Sequence, residues 1–472
     1  METAGWLSIL PPIIAIVLAI RTKQVFISLF FGIWLGWTVL AGGNPITGLA
    51  SALDSCIKVF QDDGNTKVIA FSAMVGALIA FTQRSGGVDG FIQWLLQKGF
   101  VKDRRSAGLL AWITGAVIFV ESSITCLVTG AVSRPIFDKL KISREKLAYI
   151  CDSTSAPVCI LIPLNGWGAY ILALLATQSV DRPFLTLLKS IPFNLYAIFT
   201  VGLVLLVILT GKDFGPMKSA EKRAREQGKV LRDGAEPLVA TEIIAIETKA
   251  GIRPKAVNML VPILIMVVMM PVNLLITGHG NIMNGSGSTS VFWAVLAAIT
   301  IAGGMYMAQG IMKLNEVVDL FFKGLGGLMP LALLMMLAFA IGNTCKALGT
   351  GPYVANVAKS WVSPGFVPAI LFLVSGFIAF STGTSWGTFA IMIPIGIPMI
   401  KLMDANIYTT LGAILSGGIF GDHCSPISDT TIISSMASAS DHIDHVRTQL
   451  PYALLTAALA LLIYLIMGFI EM

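Results

Sequence analysis

Long apolar runs separated by short polar ones dominate the chain. Uninterrupted apolar segments recur near residues 6–20, 25–41, 66–83, 190–210, 256–277, 290–308, 324–345 and 451–470. Each is close to the roughly 20 residues an α-helix needs to cross a bilayer. Four further stretches are apolar but interrupted. Residues 107–133 and 366–400 carry polar centres, Glu121-Ser-Ser-Ile-Thr125 and Ser381-Thr-Gly-Thr-Ser-Trp-Gly-Thr388. Residues 145–178 and 407–436 carry Asp152-Ser-Thr-Ser-Ala-Pro157 and Asp422-His-Cys-Ser-Pro426. The pattern predicts an all-α polytopic membrane protein with two broken transmembrane helices.

The largest polar insertion, 211–255, contains Lys222-Arg223-Ala-Arg225 and divides the chain into residues 1–210 and 256–472. The two halves answer each other in order. Phe81-Thr-Gln-Arg-Ser-Gly-Gly87 corresponds to Thr344-Cys-Lys-Ala-Leu-Gly349, Glu121-Ser-Ser to the polar centre at Ser381–Thr388, and Asp152 to Asp422. Internal repetition of this kind is a signature of secondary transporters. Basic residues orient the chain: Arg21 and Lys23, Lys102 to Arg105, Arg134 to Lys146 and the 211–255 linker are expected to be cytoplasmic. Loop 42–65 is then external, which puts both ends of 107–133 on the inner side. That segment is therefore expected to be a re-entrant hairpin, with 366–400 its inverted counterpart. The reading gives ten spans, two hairpins, two inverted-topology repeats with their own scaffold helices, and both termini outside.

Composition agrees with this picture. Of 472 residues, 55% are hydrophobic and 12% charged, against about 25% charged in a soluble domain. Mean hydropathy is +0.81. The net charge of +6 is what positive-inside loops supply and does not point to nucleic acid. Met1-Glu-Thr-Ala-Gly lacks the basic start of a secretory leader, so Trp6 to Ile20 is expected to be a first span. The six cysteines (Cys56, Cys126, Cys151, Cys159, Cys345, Cys424) form no CxxC and read as buried small hydrophobes, in keeping with a bacterial-type cytoplasmic membrane. No GxxxxGK[ST] motif is present, which argues against ATP-driven transport.

Two aspartate–proline patches at membrane depth carry the chemistry. A charged residue at the bilayer centre costs about 2.5–3.5 kcal/mol even on the translocon scale, and an interior proline removes a helical hydrogen bond. Broken backbone is tolerated only where it lines a cavity. Pro157 and Pro426 are expected to leave the carbonyls of Ser153 and Asp422 free, beside the carboxylates of Asp152 and Asp422 and the hydroxyls of Ser153, Thr154, Ser155, Ser425 and Ser428. Carboxylate, carbonyl and hydroxyl oxygens suit a hard cation such as Na+, or a proton. The hydroxyls alone would read as helix-packing hydrogen bonds. Asp429 and Glu121 are further candidates, Glu121 with a structural hydrogen bond as the competing role. His423 is either a proton-binding group or an orienter of Asp422. Asn165-Gly-Trp-Gly168 ends the first broken helix and either touches substrate or packs. Asp441-His-Ile-Asp-His445 has metal-ligand residue types but is expected in a solvated cytoplasmic loop.

Gly421-Asp-His-Cys-Ser-Pro-Ile-Ser-Asp-Thr-Thr-Ile-Ile-Ser-Ser435 resembles the signature of the NhaC-type Na+/H+ antiporter family, and Phe119–Thr125 and Cys151–Pro157 match it in the first half. The resemblance implies two inverted repeats with a re-entrant hairpin and a broken helix each, a moving transport domain, and a homodimer in the lipid bilayer. It implies no cofactor and no enzymatic activity, with Na+ and H+ exchanged at Asp152 and Asp422. Relatives resemble carriers of organic acids and amino acids. The alternative is thus a Na+- or H+-coupled carrier of a small carboxylate or amino acid, held by Ser122, Ser123, Thr384, Ser385 and Asn165.

Overall fold

The computed structural model describes residues 5–22, 24–97, 102–119, 121–237, 246, 248–282 and 285–470. Among these there is no β-strand, and one isolated bridge pairs Pro237 with Asp441. Among the described residues eight helices are long and apolar enough to cross a membrane, nine when Arg144–Leu161 and Gly166–Thr177 are counted as one broken span. The chain is a multi-pass membrane protein.

The first apolar run folds as the 3-10 turn Gly5–Ile9 leading into Leu10–Thr22, and the second as Val25–Leu40. At about 2.0 Å per 3-10 residue and 1.5 Å per α residue they are roughly 30 and 24 Å long, beside a hydrocarbon core of about 30 Å. Residues 42–65 are not a loop. Asn44 accepts from the backbone of Ile46 (3.0 Å) and Thr47 (3.2 Å), Pro45 occupies the first turn, and a helix runs Pro45–Lys58. Both are strong helix-start signals.

The 211–255 linker was expected to be solvated, and much of it is instead bound to the helices. It contains the helix Gly215–Gln227. Arg223 pairs with Glu145 at 2.8 Å, and Asp213 with Lys146 at 2.8 Å. Glu221 is buried, paired with Arg104 and accepting from Ser143. Helix ends near the first broken span expose orphan donors and charges, and the linker satisfies them. Its residues 238–245 and 247 lie outside the described ones.

The corresponding segments of the halves do fold alike in order. Residues 107–133 form Arg104–Val117 and Ser122–Lys139, separated at Glu121. Residues 366–400 form Val367–Thr382 and Ser385–Met403, separated at Gly383, whose φ of +68° favours glycine. The first broken helix is Arg144–Ser153 then Ala156–Leu161, and the second is Ile407–Cys424 then Asp429–Ser438.

One helix from each half meets at a glycine pair. A Cβ on Gly76, in Asp63–Arg84, would lie 2.1 Å from the Gly324 carbonyl oxygen, and one on Gly324, in Leu314–Leu348, 2.4 Å from that of Gly76. Small residues allow this backbone approach, a common device of membrane helix packing. Phe81, Ala77, Met335 and Phe339 are buried in the core that surrounds it.

Candidate functional site

The breaks follow from proline chemistry. Pro157 lies in the first turn of Ala156–Leu161, where its missing N–H costs nothing. Ser425 precedes Pro426 and is extended (φ −81°, ψ 129°), as a residue before proline prefers. The expected free carbonyl at Asp422 is corrected: it accepts from the Ser425 N–H at 3.1 Å. The helix thus closes with a tightened turn that satisfies it.

Asp152 and Asp422 are buried, at 0% and 1% exposure. Asp422 accepts from Ser385 and from Ser428, both at 2.6 Å. Asp152 Oδ2 accepts from Thr431 at 3.0 Å and Gln449 at 2.7 Å, with His445 Nε2 4.0 Å away. Among the described residues Asp152 Oδ1 is buried without a hydrogen-bond partner. A buried, unpartnered carboxylate oxygen is expensive, and a cation or a proton would relieve that cost.

Asp429 begins Asp429–Ser438, and its carboxylate accepts from the Thr430 N–H at 2.8 Å. It lies between buried Ser428 and Thr430 at the second break. Glu121 is half-buried at the hairpin break, accepting from Ser122 at 3.2 Å. The four acids from both halves lie within electrostatic reach: Asp422 of Asp152, and Asp429 of Asp422, Glu121 and Asp152. They do not converge on one point. Among the described residues no three His, Cys, Asp or Glu are arranged to hold a metal ion together.

The predicted hydroxyls divide by partner. Ser428 touches a carboxylate. Thr154 donates to the Ile150 carbonyl (2.7 Å), Ser155 to that of Asp152 (2.8 Å) and Ser425 to that of Phe380 (2.7 Å). Ser153 contacts His423 Nε2 at 3.0 Å, and Tyr196 contacts its Nδ1 at 2.7 Å, so His423 is held between two hydroxyls. Of the residues named for an organic substrate, Ser385 serves Asp422 and Ser122 serves Glu121. The Ser123 side chain lies outside the described ones. Thr384 precedes Ser385–Met403 and gives its carbonyl to Thr388 at 2.9 Å. Asn165 caps Gly166–Thr177 and donates to the carbonyls of Phe119 and Cys159, each at 2.8 Å. Beside it, the Trp167 and Trp386 rings meet at a tilt of 42° with centroids 4.5 Å apart.

Asp441–His445 is not a solvated loop. Asp441 caps the last helix, His442–Ile470, accepting from the Asp444 N–H at 3.0 Å, and His445 is fully buried. His445 Nε2 meets Gln449 Oε1 at 2.9 Å, and His442 Nε2 meets the Pro426 carbonyl at 2.7 Å. Both Nδ1 atoms face the one hydroxyl of Ser435, at 2.8 and 3.0 Å. Gln449, Thr431 and Tyr196 carry no expectation from sequence, and His445 is expected from sequence in a solvated loop. Gln449 left a signal, an amide two residues before Pro451 at the head of an apolar run.

Comparison with known proteins agrees with this architecture. The Na+/H+ antiporter family model matches residues 182–469. An uncharacterized protein of Haemophilus influenzae is 32% identical over 98% of this chain and 91% of its own length. A malate-2H(+)/Na(+)-lactate antiporter of Bacillus subtilis is 28% identical over 27% of this chain and 31% of its own. The solved YdaH transporter of Alcanivorax borkumensis shares the fold at a TM-score of 0.57 and 12% identity, covering 89% of each chain. The chain is a secondary transporter, and it belongs to the Na+/H+ antiporter family.

Proposed function

We propose that the protein exchanges cytoplasmic Na+ for external H+ by alternating access, with Asp152 and Asp422 as the competitive ligands of the two ions. The observation that carries this reading is the pair of buried carboxylates from opposite halves, one with an oxygen lacking any partner. A buried anion needs a counter-charge, and Na+ and H+ are alternative ways to supply it. Asp429 and Glu121 extend the negative field beside the pair. Ser428 and Ser385 hold Asp422, and Ser153, Thr154, Ser155 and Ser425 shape the breaks. The two halves act as inverted repeats with the 211–255 linker on the cytoplasmic side, and the working unit is a homodimer.

A second reading is supported by the relative named as a malate and lactate antiporter. In it, proton or Na+ movement is coupled to a small carboxylate or an amino acid bound near Ser122, Ser123, Thr384, Ser385 and Asn165. Purified protein in liposomes loaded with a pH dye separates the two. Na+ alone should move protons across the membrane. Proton movement that requires an added organic acid or amino acid would replace the first reading with the second.

A further inference from the structure

We propose that a cavity between the first hairpin, the first broken helix and the linker binds the phosphate headgroup of an anionic phospholipid. The cavity holds about 410 Å³, and its polar rim is formed by Arg104, Arg105, Lys146 and Arg225. Two of these cations are already committed. Arg104 pairs with Glu221 and donates to the carbonyls of Leu140 and Lys141, and Lys146 pairs with Asp213. Arg105 and Arg225 are exposed and have no hydrogen-bond partner among the described residues. Two guanidinium groups over one cavity match a phosphate, which they bind through planar, paired N–H donors.

Two carboxylates also line the cavity, Asp103 and Glu221. Neither cancels the site. Glu221 is buried against Arg104 and Ser143. Asp103 caps its helix through the Ser106 N–H at 2.8 Å. The Ser106 backbone and hydroxyl hold its carboxyl below the usual range, and Arg105 adds to the effect. Counting Asp213, which holds Lys146, four cations meet three anions, so the site stays net positive.

The surroundings select a lipid over a free anion. The floor is apolar, formed by Phe137, Ile142, Ile150 and Ile208. The cavity sits where the apolar helix Leu195–Thr210 ends and the charged linker begins. Leu206 and Leu209, on that helix, and Ile113, on the hairpin arm that supplies Arg105, are exposed at 56%, 50% and 51%, a surface suited to acyl chains. Basic pockets between membrane helices at a bilayer face are known to take anionic headgroups. A lipid seated here would tie the linker helix to the hairpin in the leaflet that faces the linker.

The test is thermal unfolding of the purified full-length protein in neutral micelles titrated with phosphatidylglycerol, phosphatidylcholine or inorganic phosphate. Phosphatidylglycerol should raise the unfolding temperature of the wild type saturably, and phosphatidylcholine should not. At about 1 kcal/mol per basic residue near an anionic surface, Arg105→Gln or Arg225→Gln should raise the half-saturating lipid concentration about 5-fold and the double variant about 30-fold. Lys229→Gln, on the exposed linker, serves as the control. An unshifted titration in the double variant would overturn the site, and inorganic phosphate reproducing the full effect would overturn the lipid. Because no transport is measured, the outcome is independent of which ions the protein exchanges.

Discussion

Replacing Asp422 by asparagine removes the charge and keeps the shape, so it separates ion chemistry from folding. Asp422 receives two hydroxyl hydrogen bonds of 2.6 Å, from Ser385 and Ser428. Bonds to a charged group contribute about 1.5–3 kcal/mol each and bonds to a neutral one about 0.5–1.5. Asparagine can still accept one hydroxyl, and the other can rotate to accept from its amide. The weakened bonds then cost roughly 2–3 kcal/mol, offset by no longer burying a charge. The protein should insert, fold and elute as the wild type does. Ion binding should fail: a unit charge about 4 Å from the cation is worth about 4 kcal/mol at an effective dielectric of 20, about a thousandfold in affinity. The assay is Na+-driven proton movement in liposomes. Asp422→Asn should abolish it, and Asp422→Glu should keep part of it at a different pH optimum. Asp233→Asn is the control, because the Asp233 side chain is 80% exposed and its carboxylate pairs with Lys229 on the linker; Asp441, which caps the last helix, is unsuitable. Near-normal coupled transport by a well-folded Asp422→Asn protein would refute the assignment.

Alanine at Ser428 or Ser385 should raise the Na+ concentration for half-maximal transport about 5- to 30-fold, whereas Thr154→Ala, which removes bonds to the backbone carbonyls of Ile150 and Cys151, should change it less than twofold; equal effects at all three would mean that Thr154 also serves the ion. Single cysteines at Asp54 and Lys141, both exposed, introduced into a cysteine-free background, should react with an impermeant reagent from opposite sides of the membrane, and labelling of both in intact cells would refute the inverted topology. Gly76→Val should destabilise the protein by about 1–3 kcal/mol, because even its Cβ would overlap the Gly324 carbonyl; an unchanged unfolding temperature in detergent would show that the two helices can part without penalty.

The parts of the site that could be read from sequence are those set by neighbours along the chain. Pro157 and Pro426 announce the breaks because proline acts on its own residue and the one before it. Ser428 lies six residues from Asp422 and was within reach of a local argument. Ser385 is 37 residues from Asp422, and Gln449 is 297 from Asp152. Nothing in a linear pattern brings such pairs together. Asp441–His445 was read as a loop from its polarity alone. Its first residue caps a helix, and the polar side chains on one face of that helix turn inward to meet Asp152 and Pro426. The linker was misjudged for a related reason: charges that look solvated in sequence have partners waiting at the ends of other helices.

Both hydrogen-bond donors to Asp152 come from the other half of the chain, Thr431 and Gln449. His423 of the second half is held by Ser153 and Tyr196 of the first. Neither half therefore owns a finished site. Expressed alone, residues 1–210 would carry Asp152 with neither donor, and residues 256–472 would carry His423 with neither hydroxyl. Whatever ancestry the internal resemblance records, the halves are no longer interchangeable. A change at Thr431 or Gln449 alters the surroundings of Asp152 directly, so the two patches work as a single joint built from both ends of the chain.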